Sequence, residues 1–221
     1  MKLNNKYFSK KFSLLSTTLI NNRIYLGSLK TNWDPKNKKY LIGFRNTFCI
    51  FDINQTLINM RNAVKLINKF HKSKKKILFV GFPELEKKKF QQLLKESSHC
   101  YLPHNYWING MLSSNKMILD KFRTKTTNLN KKQLFDTFGG IIKLKDKPDL
   151  VVIYNNSAET EALKESLNLN IPVISFVNTQ DSIEKIPYKI PGGFYSSEAG
   201  KMYYNLLSAI LKNNSNINIK N

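Results

Sequence analysis

Apolar positions along the chain fall into blocks whose period changes, and the changes mark the elements. The run "TFCIFDI" (47–53) is β-branched and aromatic, and the segment after it places Leu57, Met60, Ala63, Val64, Ile67 and Phe70 at helical spacing. This predicts a strand, an aspartate cap and an amphipathic helix. A basic turn, "KSKKK" (72–76), leads into "ILFVGF" (77–82), apolar throughout and bounded by Gly and Pro. There follows "PELEKKKFQQLLKESS", with Pro and Glu at its start and Lys further on, the order that a helix dipole favours. The alternation resumes with "DLVVIYN" (149–155), a helix over about 158–168 carrying Ala158, Ala162, Leu163 and Leu167, and the strand "IPVISFVN" from 171. A last helix, capped by Ser196 or Ser197, carries Ala199, Met202, Tyr203, Leu206, Leu207, Ile210 and Leu211 on its apolar side. Strands that are apolar on both faces and alternate with helices predict an α/β fold, with a mostly parallel sheet covered by helices on both faces.

One segment interrupts the alternation. Residues 114–138 are polar and basic, and predict a helix, a loop and a second helix standing off the sheet as a hairpin. The expected division is an N-terminal extension with a short helix (1–24), an α/β domain (25–113 and 139–212), the inserted hairpin (114–138) and a tail, "NNSNINIKN" (213–221), too polar to order itself. A chain of 221 residues buries enough surface to fold without staples. Cys49 and Cys100 lie far apart in apolar surroundings and are expected in the core. No apolar run approaches the length of a membrane span, so no membrane partner is expected. The first twenty residues are free of acids and loosely fit an organellar presequence, although they lack early arginine.

Charge changes the picture. The chain carries +21, and residues 1–76 hold 17 Lys and Arg against two acids, Asp34 and Asp52. An AT-rich genome raises Lys, Asn and Ile together, but it does not empty one third of a chain of acids. The asymmetry predicts one face or arm that meets a polyanion, nucleic acid first among the candidates.

Enzyme chemistry finds no support in the residues. Gly81 is the one glycine that follows a strand as a phosphate loop would, but no GxGxxG or GxxxxGK[ST] accompanies it, and Phe82 and Pro83 stand where bare amides would be needed. The pairs Gly139-Gly140 and Gly192-Gly193 read as turns or helix stops. His71, His99 and His104 have no metal-ligand spacing and read as structural. There is no GxSxG elbow and no Cys-His nucleophile motif. No cofactor, metal, catalytic residue or small-molecule substrate is expected.

In order along the chain, "NWDPKNKKYLIGFRN", "TFCIFDINQTL", "KKILFVGF", "NYWINGMLSSN", "FGGI", "KPDLVVIYN", "NIPVISFVNT" and "YKIPGG" resemble the successive sequence blocks of the small-subunit ribosomal protein S2 family of bacteria and organelles, over about residues 25–195. The chain departs from the family pattern at Tyr25 and Ser28, where the family has histidines, at Asn105-Tyr106 in place of His-Arg, at Asn109 in place of Gly, and at Asn178 in place of Asp. No metal or histidine contact is therefore carried over. The resemblance implies a flavodoxin-like domain with a hairpin, here shortened, lying between the head and body of the small subunit. It also implies structural and assembly roles in translation, with small-subunit ribosomal RNA and neighbouring ribosomal proteins as partners.

RNA duplexes hide their base edges, so such a protein mostly reads phosphates, ribose hydroxyls and splayed bases. Lys30, Lys36, Lys38, Lys39 and Arg45 are the expected phosphate contacts, extended by Lys74 and Lys75 of the basic turn and by Lys116, Arg123 and Lys125 of the hairpin. Asn32, Asn46 and Asn105 suit ribose or base edges. Trp33 and Trp107 suit base stacking, although packing against the core is the commoner use of tryptophan in such settings. The Asn/Lys/Ile-rich composition, the short hairpin and the missing long tail favour a mitochondrial ribosome, with a plastid or bacterial cytoplasm as the alternative. Residues 12–24 align with the family's short N-terminal helix, so no presequence is expected to be cleaved. The competing readings are a flavin- or nucleotide-binding enzyme on the same kind of sheet and a free RNA-binding assembly factor.

Overall fold

The computed structural model describes residues 14–82, 87–114, 138–141, 144, 146–154, 159–194 and 196–212. Within them the alternating pattern resolves into two sheets rather than one. After α1 (14–21) come β1 (Leu26–Leu29), β2 (Leu41–Arg45) and β3 (Phe48–Phe51), an antiparallel sheet in the order β1-β3-β2. The run at 47–53, read from its pattern as part of the α/β alternation, belongs to this small sheet. The reason is local: Asn46 adopts φ 54°, a left-handed conformation that asparagine tolerates, and so lets two residues turn the chain from β2 into β3.

The second sheet is all parallel. Its strands β4 (Ile77–Phe82), β5 (Cys100–Pro103), β6 (Leu150–Ile153), β7 (Val173–Val177) and β8 (Tyr188–Pro191) lie in the order β5-β4-β6-β7-β8. Successive side chains point to opposite faces, and the core divides accordingly. Ile77, Phe79, Leu150, Val152, Ile174 and Phe176 enter one cluster, with α2 (Ile53–Lys72), α3 (Lys87–Glu96) and α5 (Ser197–Lys212). Leu78, Val80, Val151, Ile153, Val173 and Val177 enter the other, with α4 (Thr160–Asn168) and residues of the 111–112 and 138–144 stretches. Asp52 caps α2 by accepting from the Asn54 N–H at 2.9 Å, and Ser196 caps α5 by accepting from Ala199 at 3.1 Å, as the pattern predicts. Both cysteines are buried, as expected of core residues. Among the described residues no helix is long and apolar enough to cross a membrane. The predicted hairpin at 114–138 and the tail at 213–221 lie outside the described residues except at the hairpin's two ends.

The structural reading of two histidines sharpens into a pair. His71, near the end of α2, and His99, just before β5, share a hydrogen bond of 2.9 Å between Nδ1 and Nε2, and the Phe79 ring stands edge-on to His99. Burial first, and then the charge of His71, pull the His99 ring from its ordinary 6.5 to about 4. The unfolded chain therefore takes up a proton between pH 6.5 and 4 that the folded chain refuses. Stability from this group is fully present above pH 6.5 and falls by about 3 kcal/mol as the pH drops through 4. Urea denaturation at pH 7 and pH 4.5 should show the loss, and His99→Gln should flatten it; an unchanged midpoint in the parent chain would refute the account.

Candidate nucleic-acid interface

The basic stretch after β1 is a built loop. A turn at Lys30–Asn32 and a second at Pro35–Tyr40 flank Trp33 and Asp34; Asp34 caps the second turn, accepting from the Lys36 N–H at 2.9 Å, with Pro35 in the first position. What fixes the loop lies some 140 residues away, just after β7. The Asp34 N–H donates to the Thr179 carbonyl at 2.8 Å, and the Asn37 side-chain amide donates to the carbonyls of Thr179 and Asp181, each at 2.9 Å. Thr179 also ties down β1: its hydroxyl accepts from the Ser28 N–H at 3.0 Å and shares a short hydrogen bond with the Ser28 hydroxyl. Asn37, Thr179 and Asp181 are all buried, so the anchor is shielded from competing water.

On this frame the cations face outward. Lys38 and Arg45 are exposed. Lys30 stands over the Phe44 ring at 5.1 Å, and Lys39 over Tyr40 at the same distance, which orients both ammonium groups without neutralising them. Lys36 pairs with Glu184 at 2.8 Å, a solvent-exposed contact of little energetic weight. The Lys30 N–H donates to the Thr47 carbonyl at 2.7 Å, drawing the loop against the Arg45-Asn46-Thr47 hairpin. Asn32 and Asn46 are exposed beside it. Sequence reasoning missed Lys189 on β8, whose ammonium is lowered in pKa by burial and then by the charge of Lys39. An anion that joined Lys189 would offset both its burial and the repulsion it feels from Lys39.

The remaining candidates are distributed differently from the expectation. Lys74 and Lys75 precede β4, at the N-terminal ends of the parallel strands, whereas the anchored loop meets the C-terminal ends. They therefore do not extend its patch. Lys75 instead lies over Phe70 at 5.2 Å and 3.9 Å from Asp149. Trp33 is half-buried and meets Phe44 edge-on at 5.2 Å. Trp107 packs on the second core cluster, and its indole N–H is buried with no hydrogen-bond partner among the described residues. Both arrangements match the packing use of tryptophan. Lys116, Arg123 and Lys125 lie outside the described residues.

The loop that carries Asn105 and Trp107 is held by two carboxylates. Glu159, at the start of α4, accepts from the Asn105 N–H at 3.0 Å, with His104 Nδ1 at 3.3 Å. Burial pushes its carboxyl up in pKa, partly countered by those two neighbours. Glu165 accepts from the N–H groups of Gly110, Leu112 and Ser113 at 3.2, 2.8 and 2.8 Å, and from the Ser113 hydroxyl at 2.9 Å. Neither glutamate stands out in the sequence; the signal was the "GMLSS" loop, whose amides need an acceptor. Gly81, at φ 75°, packs against the Glu159 side chain, so the one strand-end glycine faces a carboxyl group rather than an open phosphate cradle. Among the described residues no cluster of three potential metal ligands occurs.

The model of the family described as "Ribosomal protein S2" matches residues 19–213. The chain is similar to the "Small ribosomal subunit protein uS2" of Treponema pallidum, 27% identical over 214 residues that cover 86% of this chain and 72% of that protein. It is similar to the protein of the same name from Rickettsia conorii, 29% identical over 222 residues covering 90% and 75%, and to that of Marinobacter nauticus, 29% identical over 200 residues covering 81% and 80%.

Proposed function

The chain belongs to the ribosomal protein S2 family, and from that premise we propose that its anchored loop, with the 45–47 hairpin and Lys189, is the surface that grips small-subunit ribosomal RNA. As a member of that family it is a structural component of the small ribosomal subunit and not an enzyme. The observation that carries the RNA surface is the buried anchor. A chain that needed only solubility would have no use for Asn37 and Thr179 holding its lysines in one place.

Lys30, Lys36, Lys38, Lys39 and Lys189 take backbone phosphates, and Arg45 takes a phosphate with two parallel hydrogen bonds, which lysine cannot do. Asn32 and Asn46 reach ribose or base edges. Asn105 forms a separate contact at the end of β5, and Lys74 with Lys75 another at the opposite ends of the strands. Lys116, Arg123 and Lys125 would extend the RNA surface along a short hairpin. The strand order, in which the first parallel strand lies between the second and third, supports the flavodoxin-like reading. Neighbouring ribosomal proteins complete its surroundings. The Asn/Lys/Ile-rich composition supports a mitochondrial ribosome, and fractionation of small subunits from purified organelles tests that placement.

The RNA surface is tested by reversing Lys36, Lys38 and Lys39 to Glu together. All three are exposed, so the melting temperature should hold while incorporation into small subunits falls at least tenfold. Binding to an isolated RNA fragment should lose salt dependence, its log-log slope flattening by about 2 to 3. Incorporation at the parent level would sink the proposal.

A further inference from the structure

On the face of the parallel sheet that carries α2 and α5, the helices do not close. α1, α2 and α5 surround a groove of about 590 Å³. Its floor is buried hydrocarbon from Leu19, Leu57 and Met60, and Val64, Leu206 and Ile210 wall it. Leu15 on its rim is 44% exposed, and Leu14, Ile20 and Ile58 of the same helices are exposed as well. The apolar surface thus continues outward from the groove.

We propose that this groove receives an amphipathic, acid-bearing helix of a neighbouring small-subunit protein. The proposal rests on the reading of the chain as a component of that subunit. An apolar trough between helices is the usual seat of a partner helix. RNA is a poor occupant, because among the described residues Arg61 and Lys201 are the only charged ones that line the groove, and its floor offers nothing to a phosphate. Charge selects among protein occupants. α2 bears Arg61, Lys65, Lys69 and Lys72 and no acid, α5 bears Lys201 and Lys212 against Glu198, and the described part of α1 is uncharged. A second copy of this chain, at +21, would bring like charge against like. The chain's own residues 1–13 carry Lys2, Lys6, Lys10 and Lys11 and no acid. The helix that complements both the hydrocarbon and the cations is an acidic one from another protein.

The test uses the full chain with a photoreactive phenylalanine analogue in place of Asn205, an exposed residue on the groove, assembled into small subunits that are purified before irradiation. Mass spectrometry should identify a cross-link to another small-subunit protein, in a peptide where acids flank apolar positions at helical spacing. Ala209→Glu, also exposed on the groove, should cut that product at least tenfold while leaving the melting temperature of the isolated chain unchanged. A cross-link to ribosomal RNA, to a second copy, or to residues 1–13 of the same chain would overturn the proposal, as would no cross-link in subunits that hold the chain at full stoichiometry. Absence of the chain from small subunits is a different failure, and overturns the functional reading itself.

Discussion

Gly193→Ala should destabilise the protein by about 4 kcal/mol or more, one of the largest losses available to a single methyl group. A Cβ at this position falls on the carbonyl oxygen of Leu26, while the Gly193 N–H donates to the Ile24 carbonyl at 2.8 Å. Both partners are backbone, so no side chain can rotate away. The segment joining α1 to β1 must lift from the end of β8, and with it Ser28 is drawn from Thr179. Gly192 is crowded as well, though by side chains that can shift, its Cβ position lying 2.7 Å from both Ile24 and Phe194. The control is Gly43→Ala on the edge strand β2, where nothing among the described residues stands within 4 Å of the added Cβ; stability there should change by less than about 0.5 kcal/mol. Urea denaturation of the two variants decides it, and similar midpoints for both would show that the close approach at Gly193 carries no weight.

These glycines also show where the sequence stops speaking. A glycine pair announces that a side chain is unwelcome but does not say why, and the turn suggested by composition is here a packing contact between segments some 170 residues apart. The same limit hides the anchor of the basic loop. Its lysines and its Asp-Pro turn are visible in the sequence, whereas the hydrogen bonds of Asn37 to Thr179 and Asp181 join segments that share no periodicity. Lys189 is likewise one lysine in a four-residue strand until the fold sets it beside Lys39. Long elements are different. α2 and α5 repeat their apolar spacing over several turns and begin on recognisable caps, so their place and their buried faces can be read directly. β5 and β8 hold four residues each, too few to establish a period. Trp33 and Trp107 each have an apolar neighbour that no local pattern announces, Phe44 for one and the second core cluster for the other.

Replacing Asn37 with leucine separates the charge of the loop from its anchoring. The side chain is 1% exposed, and its amide satisfies the carbonyls of Thr179 and Asp181 at 2.9 Å each. Leucine fills a similar volume but donates nothing, so the cost is about 3 kcal/mol, softened at Thr179 because its carbonyl still accepts from the Asp34 N–H. Asn37→Asp should cost more, since it sets an acceptor against two acceptors. In both variants every cation of the loop remains. RNA affinity should nonetheless fall about tenfold, through the ordering that the loop must then undergo on binding, while the dependence on salt keeps its parent slope. The lysine reversals should do the opposite and flatten that slope, because they remove phosphate contacts. An Asn37→Leu protein that binds RNA with parent affinity would show that the cations act as a mobile cloud. The anchored loop would then be incidental to recognition.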